Sequence, residues 1–269
     1  MKKINLGCGS RFHKDWTNIN FFKSGPNVIV HNLQEGIPFE DNFFNLVYHS
    51  HVLEHFGKND GYKFLEECYR VLSHKGVIRI AVPDLEGIAK EYLNTLNKAD
   101  AGEPQASENY NWIILELIDQ MTRDVSGGEM MKYLCSGNVP NEDFVVSRIG
   151  EEGRIILDGY RKSANKNTVR KNTIRKYFST AFWKSILMNR IENNASSIYQ
   201  VGKFRKEGEV HQWMYDKYSL KLLLNDIGFK DVKVRTAFDS YISNWNDYCL
   251  DGKDGKIFKP DSLFIEALK

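Results

Sequence analysis

Four side chains in this sequence could take a proton from a bound molecule. They are His51, His55, Asp84 and His211. Histidine titrates near neutral pH when it is unperturbed, so it suits the role of a general base. We predict His51 as the base first, then His211, then Asp84. His55 is a further candidate.

Each of these residues also has an ordinary structural explanation, and the sequence leaves both explanations open. A histidine at the start of a helix, as predicted for His55, can fix the helix or pack in the core. Asp84 follows Pro83 and can cap the next helix. His211 could hold a neighbouring segment in place, with Trp213 beside it as a core aromatic or as a wall for a ligand.

A glycine-rich turn, Gly7-Cys8-Gly9-Ser10, follows the first apolar run of the chain. Two glycines around one small residue let a ligand approach the backbone closely. The dinucleotide fingerprint has a third glycine three residues later, where this chain has Phe12. The turn therefore favours a small nucleoside. Asn20 stands where nucleoside-binding sheets usually have an acid for the ribose hydroxyls.

Short apolar runs and helical patterns must position these residues. The predicted strands are Ile4–Leu6, Trp16–Phe22, Val28–Leu33, Leu46–Tyr48, Val77–Val82, Val232–Phe238 and Ser262–Leu268. Helical spacing predicts one helix within residues 52–72, ended by Gly76, and others at 110–121 and 216–227. Strands that alternate with helices predict a mainly parallel sheet covered on both faces. His51, His55 and Asp84 would follow its strands at the carboxyl edge, where ligands bind.

Composition limits the class of protein. The chain has 269 residues, 42% apolar and 27% charged, which predicts a globular protein of one large domain or of one domain with a sizeable insertion. Its net charge of +2 is too small to indicate nucleic-acid binding. It has no apolar run long enough for a membrane span and no signal-peptide pattern at the start. The four cysteines form no CxxC pair, which argues against zinc and favours a reducing, cytoplasmic setting.

The stretch from Arg161 to Arg190 contains nine Lys or Arg residues and no Asp or Glu. It can be a solvated helix face or lid. It can also be a patch that faces an anionic substrate.

Four segments carry a resemblance to a known family: NLGCGS, WTNINF, GIPFEDNFFNLVYHSHVLEH and GVIRIAVPDLE, in this order. With them the chain resembles class I S-adenosylmethionine-dependent methyltransferases. More narrowly, it resembles the methyltransferase type 11 proteins of bacterial surface-polysaccharide biosynthesis. The resemblance implies an α/β fold with a doubly wound, seven-stranded, mostly parallel Rossmann-like sheet. From Glu86 to about Gly208 the chain shows helical stretches and polar connectors without a series of strands, so we predict a single domain over 1–269 with a helical insertion or lid at 90–208.

The resemblance also implies the cofactor, S-adenosyl-L-methionine, and no metal. The cofactor-binding residues carried over from it, together with their neighbours, are Leu6, Gly7, Cys8, Gly9, Ser10, Asn20, Asn32, Leu33 and His49. Asn20 and Asn32 stand where the family usually has acids. An aspartate at position 20 is expected to retain or tighten cofactor binding, because an ionised acceptor bonds more strongly to hydroxyls.

The implied reaction is methylation of an oxygen on a small anionic acceptor in surface-glycan synthesis. The acceptor would be a sugar hydroxyl of a nucleotide-linked precursor, or an oxygen of a phosphate or phosphoramidate. The expected partner is this small molecule, without nucleic acid or membrane, and the oligomeric state stays open.

Two other functions remain possible on the sequence. The segment His51-Val-Leu-Glu54-His55 matches H-x-x-E-H, the inverted signature of zinc proteases. That assignment would place both histidines on one helical face, with Glu54 as the general base. At positions 20 and 32 the chain has asparagines in place of the family's acids. The sequence therefore also allows a second function, that of a catalytically inactive nucleoside-binding module.

Overall fold

The computed structural model describes residues 1–164, 194–206 and 208–269. Most of the basic stretch that ends at Arg190 lies outside the described residues. Arg161, at its start, forms an ion pair with Glu142. The chain divides into two units, one of Met1–Glu86 with Gln212–Lys269 and one of Gly87–His211.

A seven-stranded sheet forms the first unit. Its order is β3-β2-β1-β4-β5-β9-β6, and only β9 runs antiparallel to its neighbours. The strands of this sheet are β1 Lys3–Leu6, β2 Thr17–Asn20, β3 Val28–Val30, β4 Phe44–Ser50, β5 Leu72–Pro83, β6 Lys230–Arg235 and β9 Ser262–Leu268. A separate hairpin consists of β7 Gly252–Lys253 and β8 Lys256–Ile257. The predicted doubly wound, mostly parallel fold is therefore confirmed.

The strand order reverses between β1 and β4, which start the two directions of winding. In open α/β sheets this switch point opens a crevice at the carboxyl ends of the strands, and ligands bind there. The turn after β1 and the residues after β4 both lie at this edge. The topology thus brings together two of the sequence features that were predicted to do chemistry.

One face of the sheet is covered by helices. Helix α1, Lys58–Val71, and the last helix of the unit, Lys217–Ile227, both contribute buried residues to one apolar core. Asp216 caps the second of these helices by accepting from the backbone N–H groups of Tyr218 and Ser219. The cap fixes where the helix begins, because it satisfies donors that a helix start leaves unpaired.

Over the described residues of the first unit, the other face of the sheet is not covered by α-helices, which differs from the prediction that strands alternate with helices along the chain. Residues 7–16 and 21–27, which connect β1 to β2 and β2 to β3, form turns and no helix. Instead, side chains from residues 236–258 cover this face and pack with Trp16. The buried apolar residues of this cluster are Trp16, Leu46, Tyr48, Ile242, Trp245 and Leu250. The alternation of strands and helices therefore holds from β4 onwards and not at the start of the chain.

Arg79 ties the covering segment to the sheet. Its side chain is fully buried, and it donates to Asp251 Oδ2 at 2.7 Å and to Glu266 Oε1 at 2.8 Å. It also donates to the backbone carbonyl of Thr236 at 2.9 Å. Tyr48 on β4 donates its hydroxyl to the other oxygen of Asp251. Every charge in this network thus has a partner of opposite sign, as burial requires.

One predicted boundary is wrong. Gly76 was expected to end the first helix, but α1 ends at Val71 and Gly76 lies inside β5. Phe44 pairs with Leu72 and Leu46 pairs with Val77, so residues 73–76 bulge out of the ladder. The polar composition of this bulge imitates a helix end, because bulges and helix ends both use residues that tolerate irregular backbone.

The second unit is helical over its described residues. Its helices are α2 Leu85–Asp100 (which begins in the first unit), α3 Ala106–Ile114, α4 Gln120–Thr122, α5 Gly128–Leu134, α6 Glu142–Ala164 and α7 Asn194–Lys206. A π-helical turn, Leu115–Asp119, joins α3 to α4. The predicted insertion at 90–208 falls within this unit, and its role as a lid stays a prediction. The last helix of the chain, Lys217–Ile227, is α8.

Among the residues that the structure describes, no helix combines the length and the apolarity needed to cross a membrane.

Candidate active site

The glycine turn after β1 has the backbone that its sequence predicts. Gly7 has φ +65° and Gly9 has φ +51°, a region that side chains with a Cβ avoid. A Cβ on Gly7 would lie 2.3 Å from Cγ2 of Val52, so Gly7 is required for close packing. A Cβ on Gly9 would meet no atom within 4 Å. The turn therefore presents open space at Gly9, which fits the approach of a ligand.

Cys8 lies between the two glycines and is itself buried. Its backbone N–H donates to the carbonyl of Ile19, which holds the turn against β2. Burial raises the pKa of the Cys8 thiol, so the thiol stays protonated near neutral pH. Leu6, at the end of β1, is fully buried, while Ser10 is exposed. Among these neighbours, the side chain of Ser10 is thus the accessible one.

Asn20 links the glycine turn to the loop after β2. Its Oδ1 accepts from the Gly9 N–H at 3.4 Å, and its Nδ2 donates to the Phe22 carbonyl at 3.0 Å. An amide can do both, whereas a carboxylate only accepts. The asparagine at this position is therefore suited to the local hydrogen bonds. This geometry reverses the expectation that an aspartate here would bind the cofactor more tightly.

Replacing Asn20 with aspartate should therefore weaken S-adenosylhomocysteine binding by roughly tenfold, which corresponds to about 1.4 kcal/mol. The bond to the Phe22 carbonyl is lost, and a carboxylate oxygen then faces that carbonyl. Calorimetric titration measures the affinity. The matched control is Asn18→Asp, because Asn18 Nδ2 also donates to backbone carbonyls, of His13 and Trp16. The control should lose stability and keep its affinity. Tighter binding by Asn20→Asp would contradict the structural argument.

Asn32 and Leu33 lie after β3, where the resemblance placed a cofactor contact. Asn32 caps a short 3₁₀ helix, Leu33–Glu35, by accepting from the Gln34 N–H. Its Nδ2 donates to Glu35 Oε1 at 3.3 Å. Leu33 packs against the main core. The structure thus gives Asn32 a local capping role, and its contact with a cofactor stays a prediction.

His49 lies opposite Leu6 in the sheet, next to the glycine turn, but its ring points into the core. The ring is fully buried and makes an edge contact with Phe64 of α1, with centroids 5.1 Å apart. Neither ring nitrogen has a hydrogen-bond partner within the described residues. Burial lowers the pKa of His49 to about 4, against a smaller opposing effect from the charge of Glu54. Any contact with the predicted cofactor would therefore involve the backbone of His49.

The buried His49 should make the protein less stable in acid. In the unfolded chain a histidine is protonated below about pH 6.5, whereas His49 in the folded protein is protonated only below about pH 4. The unfolded state binds more protons in this window, so the free energy of unfolding falls as the pH falls from 6.5 to 4. The expected loss is about 3 kcal/mol, at about 1.4 kcal/mol per pKa unit.

Urea unfolding between pH 7 and pH 4 measures this loss. In His49→Leu the loss should shrink by about 3 kcal/mol, because leucine takes no proton in either state. The matched control is His74→Gln, since His74 is exposed on the bulge of β5. A pH dependence that is identical in His49→Leu and the parent would contradict the assignment.

His51 follows β4 and is held from both sides. Its Nδ1 lies 3.2 Å from Oε1 of Glu54, and its Nε2 lies 2.8 Å from Oγ of Ser262. The Glu54 side chain is fully buried, whereas 13% of the His51 side chain is exposed. His51 itself has φ +54°, and its N–H donates to the Ala81 carbonyl at 2.9 Å. A non-glycine residue is uncommon in this region and is held there by its surroundings.

Glu54 and Ser262 were not predicted as partners of His51. The spacing of three residues from His51 to Glu54 was visible in the sequence, but we interpreted Glu54 only within a zinc signature. Ser262 begins β9, 211 positions after His51. Because β9 runs antiparallel to β5, its first residue lies at the edge where the parallel strands end. No local pattern could have indicated this contact.

Tyr215 also lies close to Glu54. Its backbone bridges to Asp84, and burial, aided by the charge of Glu54, raises the pKa of its hydroxyl to about 12. The hydroxyl has no hydrogen-bond partner within the described residues. The backbone N–H groups of Gln212 and Trp213 donate to the Glu54 carbonyl, which fixes the segment before Tyr215. Tyr215 is thus a core residue beside the His51 site, while 39% of Trp213 is exposed.

The other candidate bases have different surroundings. Asp84 accepts from the Glu86 N–H at 3.1 Å at the start of α2, so it makes the capping contact named as its alternative role. His211 belongs to the second unit, is buried, and donates its backbone N–H to the Gln120 carbonyl. His55 ends a 3₁₀ helix, Leu53–His55. His51, by contrast, lies against both a carboxylate and a hydroxyl of the first unit, Glu54 and Ser262.

The helix required by the zinc-protease alternative does not form. Residues 53–55 make a single 3₁₀ turn, and the α-helix starts later, at Lys58. His51 lies outside any helix, in a left-handed conformation. The expectation that His51 and His55 share one helical face is therefore wrong.

Comparison with protein families bears on the N-terminal part of the first unit. A family model described as "Methyltransferase domain" matches residues 6–80, under half of the chain. The matched residues include the glycine turn, Asn20 and His51. The match supports the predicted methyltransferase fold and, with it, S-adenosylmethionine as the cofactor. A comparison with curated proteins finds no match.

Several solved structures resemble the chain more distantly. A SAM-dependent methyltransferase from Archaeoglobus fulgidus is 13% identical, with all of this chain and 86% of that chain covered and a TM-score of 0.41. A possible histamine N-methyltransferase from Thermotoga maritima is 12% identical, with 100% and 82% covered and a TM-score of 0.39. At these scores the likenesses say nothing about the acceptor.

Proposed function

We propose that this protein is an S-adenosylmethionine-dependent methyltransferase that methylates an oxygen of a small anionic acceptor. One observation carries the proposal. The turn with two left-handed glycines and open space at Gly9 lies at the switch point of the sheet, inside the matched residues 6–80. A small nucleoside cofactor needs such a close approach to the backbone.

The residues of the turn fit this cofactor. Gly7, Cys8, Gly9 and Ser10 would hold its methionine part, and Asn20 would reach its ribose. When bound, S-adenosylmethionine supplies a methyl group that is activated by a positively charged sulfur. The protein must align the acceptor with that methyl group and keep water out.

His51 is the base that we propose for a hydroxyl acceptor. Nδ1 lies 3.2 Å from Oε1 of Glu54, and this ion-pair contact orients the ring so that Nε2 is the nitrogen left to take a proton. The buried carboxylate then stabilises the imidazolium that forms, as the acid does in Ser-His-Asp sites. A phosphate acceptor, which is already ionised, would not need this step.

An assay for S-adenosylhomocysteine release tests the activity. The purified protein is incubated with S-adenosylmethionine and a panel of sugar nucleotides and small phosphates or phosphoramidates. At least one acceptor should increase the release above the rate without acceptor. If S-adenosylhomocysteine binds and no acceptor in the panel raises the rate, an inactive nucleoside-binding module becomes the better explanation.

The anionic character of the acceptor rests on the basic stretch 161–190 and on the resemblance. Neutralising Arg170→Gln together with Arg175→Gln should raise the acceptor KM several-fold and leave cofactor affinity unchanged, because lost uniform binding appears in KM. Added salt should have the same effect, since it screens exposed charges. The control pair is Lys221→Gln with Lys230→Gln, both exposed in the first unit. If neither added salt nor the loss of both arginines changes the KM, this argument for an anionic acceptor is removed.

The place of the protein in surface-glycan synthesis and its cytoplasmic location remain proposals that rest on the sequence.

A further inference from the structure

We propose that Ser262 is the proton relay between the acceptor and His51, an inference that rests on the proposed function. The nitrogen of His51 that must take the proton is Nε2, because Nδ1 faces the Glu54 carboxylate at 3.2 Å. Ser262 Oγ lies 2.8 Å from that same Nε2. The hydrogen bond with Ser262 therefore engages Nε2 before any acceptor arrives.

The protonation state follows from the donors and acceptors present. A carboxylate only accepts, so the tautomer of His51 that suits this contact carries its hydrogen on Nδ1, facing Glu54. In the neutral ring Nε2 then lacks a hydrogen, and the hydroxyl of Ser262 must donate to it. A serine hydroxyl has one hydrogen and two lone pairs. Ser262 thus keeps lone pairs with which it can accept a hydrogen bond from an acceptor hydroxyl.

The backbone holds Ser262 in this position. Ser262 pairs with Pro83 at the carboxyl edge of β5, and the Asp84 N–H donates to the Asp261 carbonyl at 2.9 Å. His51 is fixed across the same strand by its bond to the Ala81 carbonyl. Both side chains are therefore positioned by β5. Ser262 is partly exposed, whereas Glu54 at the other end of the series is fully buried. Ser262 and His51 thus both lie on the solvent side of Glu54.

The proposed step is balanced as follows. The acceptor oxygen forms its bond to the methyl carbon while the carbon–sulfur bond breaks, and that electron pair goes to sulfur. The hydrogen of the acceptor hydroxyl passes to Ser262 Oγ, and the hydrogen of Ser262 passes to His51 Nε2. Ser262 is unchanged at the end, and His51 is an imidazolium beside the Glu54 carboxylate. It returns to the neutral form by releasing its proton to solvent.

The relay requires a defined tautomer, which NMR of ¹⁵N-histidine-labelled protein can measure without any acceptor. The His51 signals are assigned by their loss in His51→Gln. We expect Nδ1 to be protonated and Nε2 to be unprotonated near neutral pH. In Ser262→Ala the Nε2 signal should move, because its hydrogen-bond donor is lost. A proton on Nε2, or an Nε2 signal that does not respond to Ser262→Ala, would overturn the relay.

Kinetics add a second readout, with whichever acceptor of the panel is methylated on a hydroxyl at the highest rate. Ser262→Ala should lower kcat by roughly 10²-fold, the lower end of proton-transfer catalysis, and leave S-adenosylhomocysteine affinity unchanged. Ser262→Thr keeps the hydroxyl and suits a strand position, so it should retain most of the activity. Equal kcat in Ser262→Ala and the parent would overturn the relay. Failure of the parent to bind S-adenosylhomocysteine would instead overturn the proposed function and leave the tautomer measurement standing.

Discussion

Replacing Gly9 with valine should reduce the affinity for S-adenosylhomocysteine by at least about 100-fold, which corresponds to roughly 2.7 kcal/mol. Gly9 has φ +51°, and a Cβ there points into open space beside the turn. A branched side chain would occupy the space that the cofactor needs and would strain the backbone, since left-handed conformations suit glycine. Calorimetry on the folded variant measures the loss.

A matched control separates the lost space from backbone strain. Gly255 lies in the β7–β8 hairpin with φ +76°, and a Cβ there also meets no atom within 4 Å. Gly255→Val should therefore carry similar strain and retain cofactor binding. If both variants lose binding equally, strain explains the effect. If neither does, the cofactor does not lie on this turn.

Replacing Arg79 with leucine should destabilise the first unit by about 3–5 kcal/mol, the cost of leaving buried carboxylates without their partner. Asp251 and Glu266 are both buried and both accept from this guanidinium. The ring of Trp245 also packs on it, 4.4 Å from the guanidinium carbon. Urea unfolding measures the change in the free energy of unfolding.

The control for Arg79 is an exposed ion pair. Lys63 and Asp60 lie 3.2 Å apart, with 73% and 66% of their side chains exposed. Lys63→Gln should cost under about 1 kcal/mol, because water and salt screen such pairs. Arg79→Leu with an effect this small would show that the network does not hold residues 236–258 on the sheet.

The sequence predicted the sheet well where the strands are continuous apolar runs. Ser262–Leu268 was predicted with the bounds that β9 has, and the α8 helix ends as expected at Ile227. The sequence-based prediction failed where the same residue types are compatible with two kinds of local structure. Gly76 fits a helix end as well as a bulge, and only the pairing of β5 with β4 decides between them. The irregular cover of the second face left no periodic signal at all.

The candidate site was predictable only in part, because some of its contacts depend on tertiary structure and not on the local sequence. The glycine turn and His51 follow strands directly, so their place at the carboxyl edge follows from the order of elements. Ser262 reaches His51 across 211 positions of sequence, through the antiparallel direction of β9. The bonds of Asn20 to Gly9 and Phe22 depend on loop geometry that the residue types do not determine.

The central claim is that the turn after β1 binds S-adenosylmethionine, and calorimetric titration of the unmodified protein with S-adenosylhomocysteine tests it most directly. We expect one molecule to bind per chain, and nicotinamide adenine dinucleotide, for which Phe12 replaces the required glycine, to give no heat of binding. Absence of S-adenosylhomocysteine binding under conditions where the protein is folded would contradict the claim.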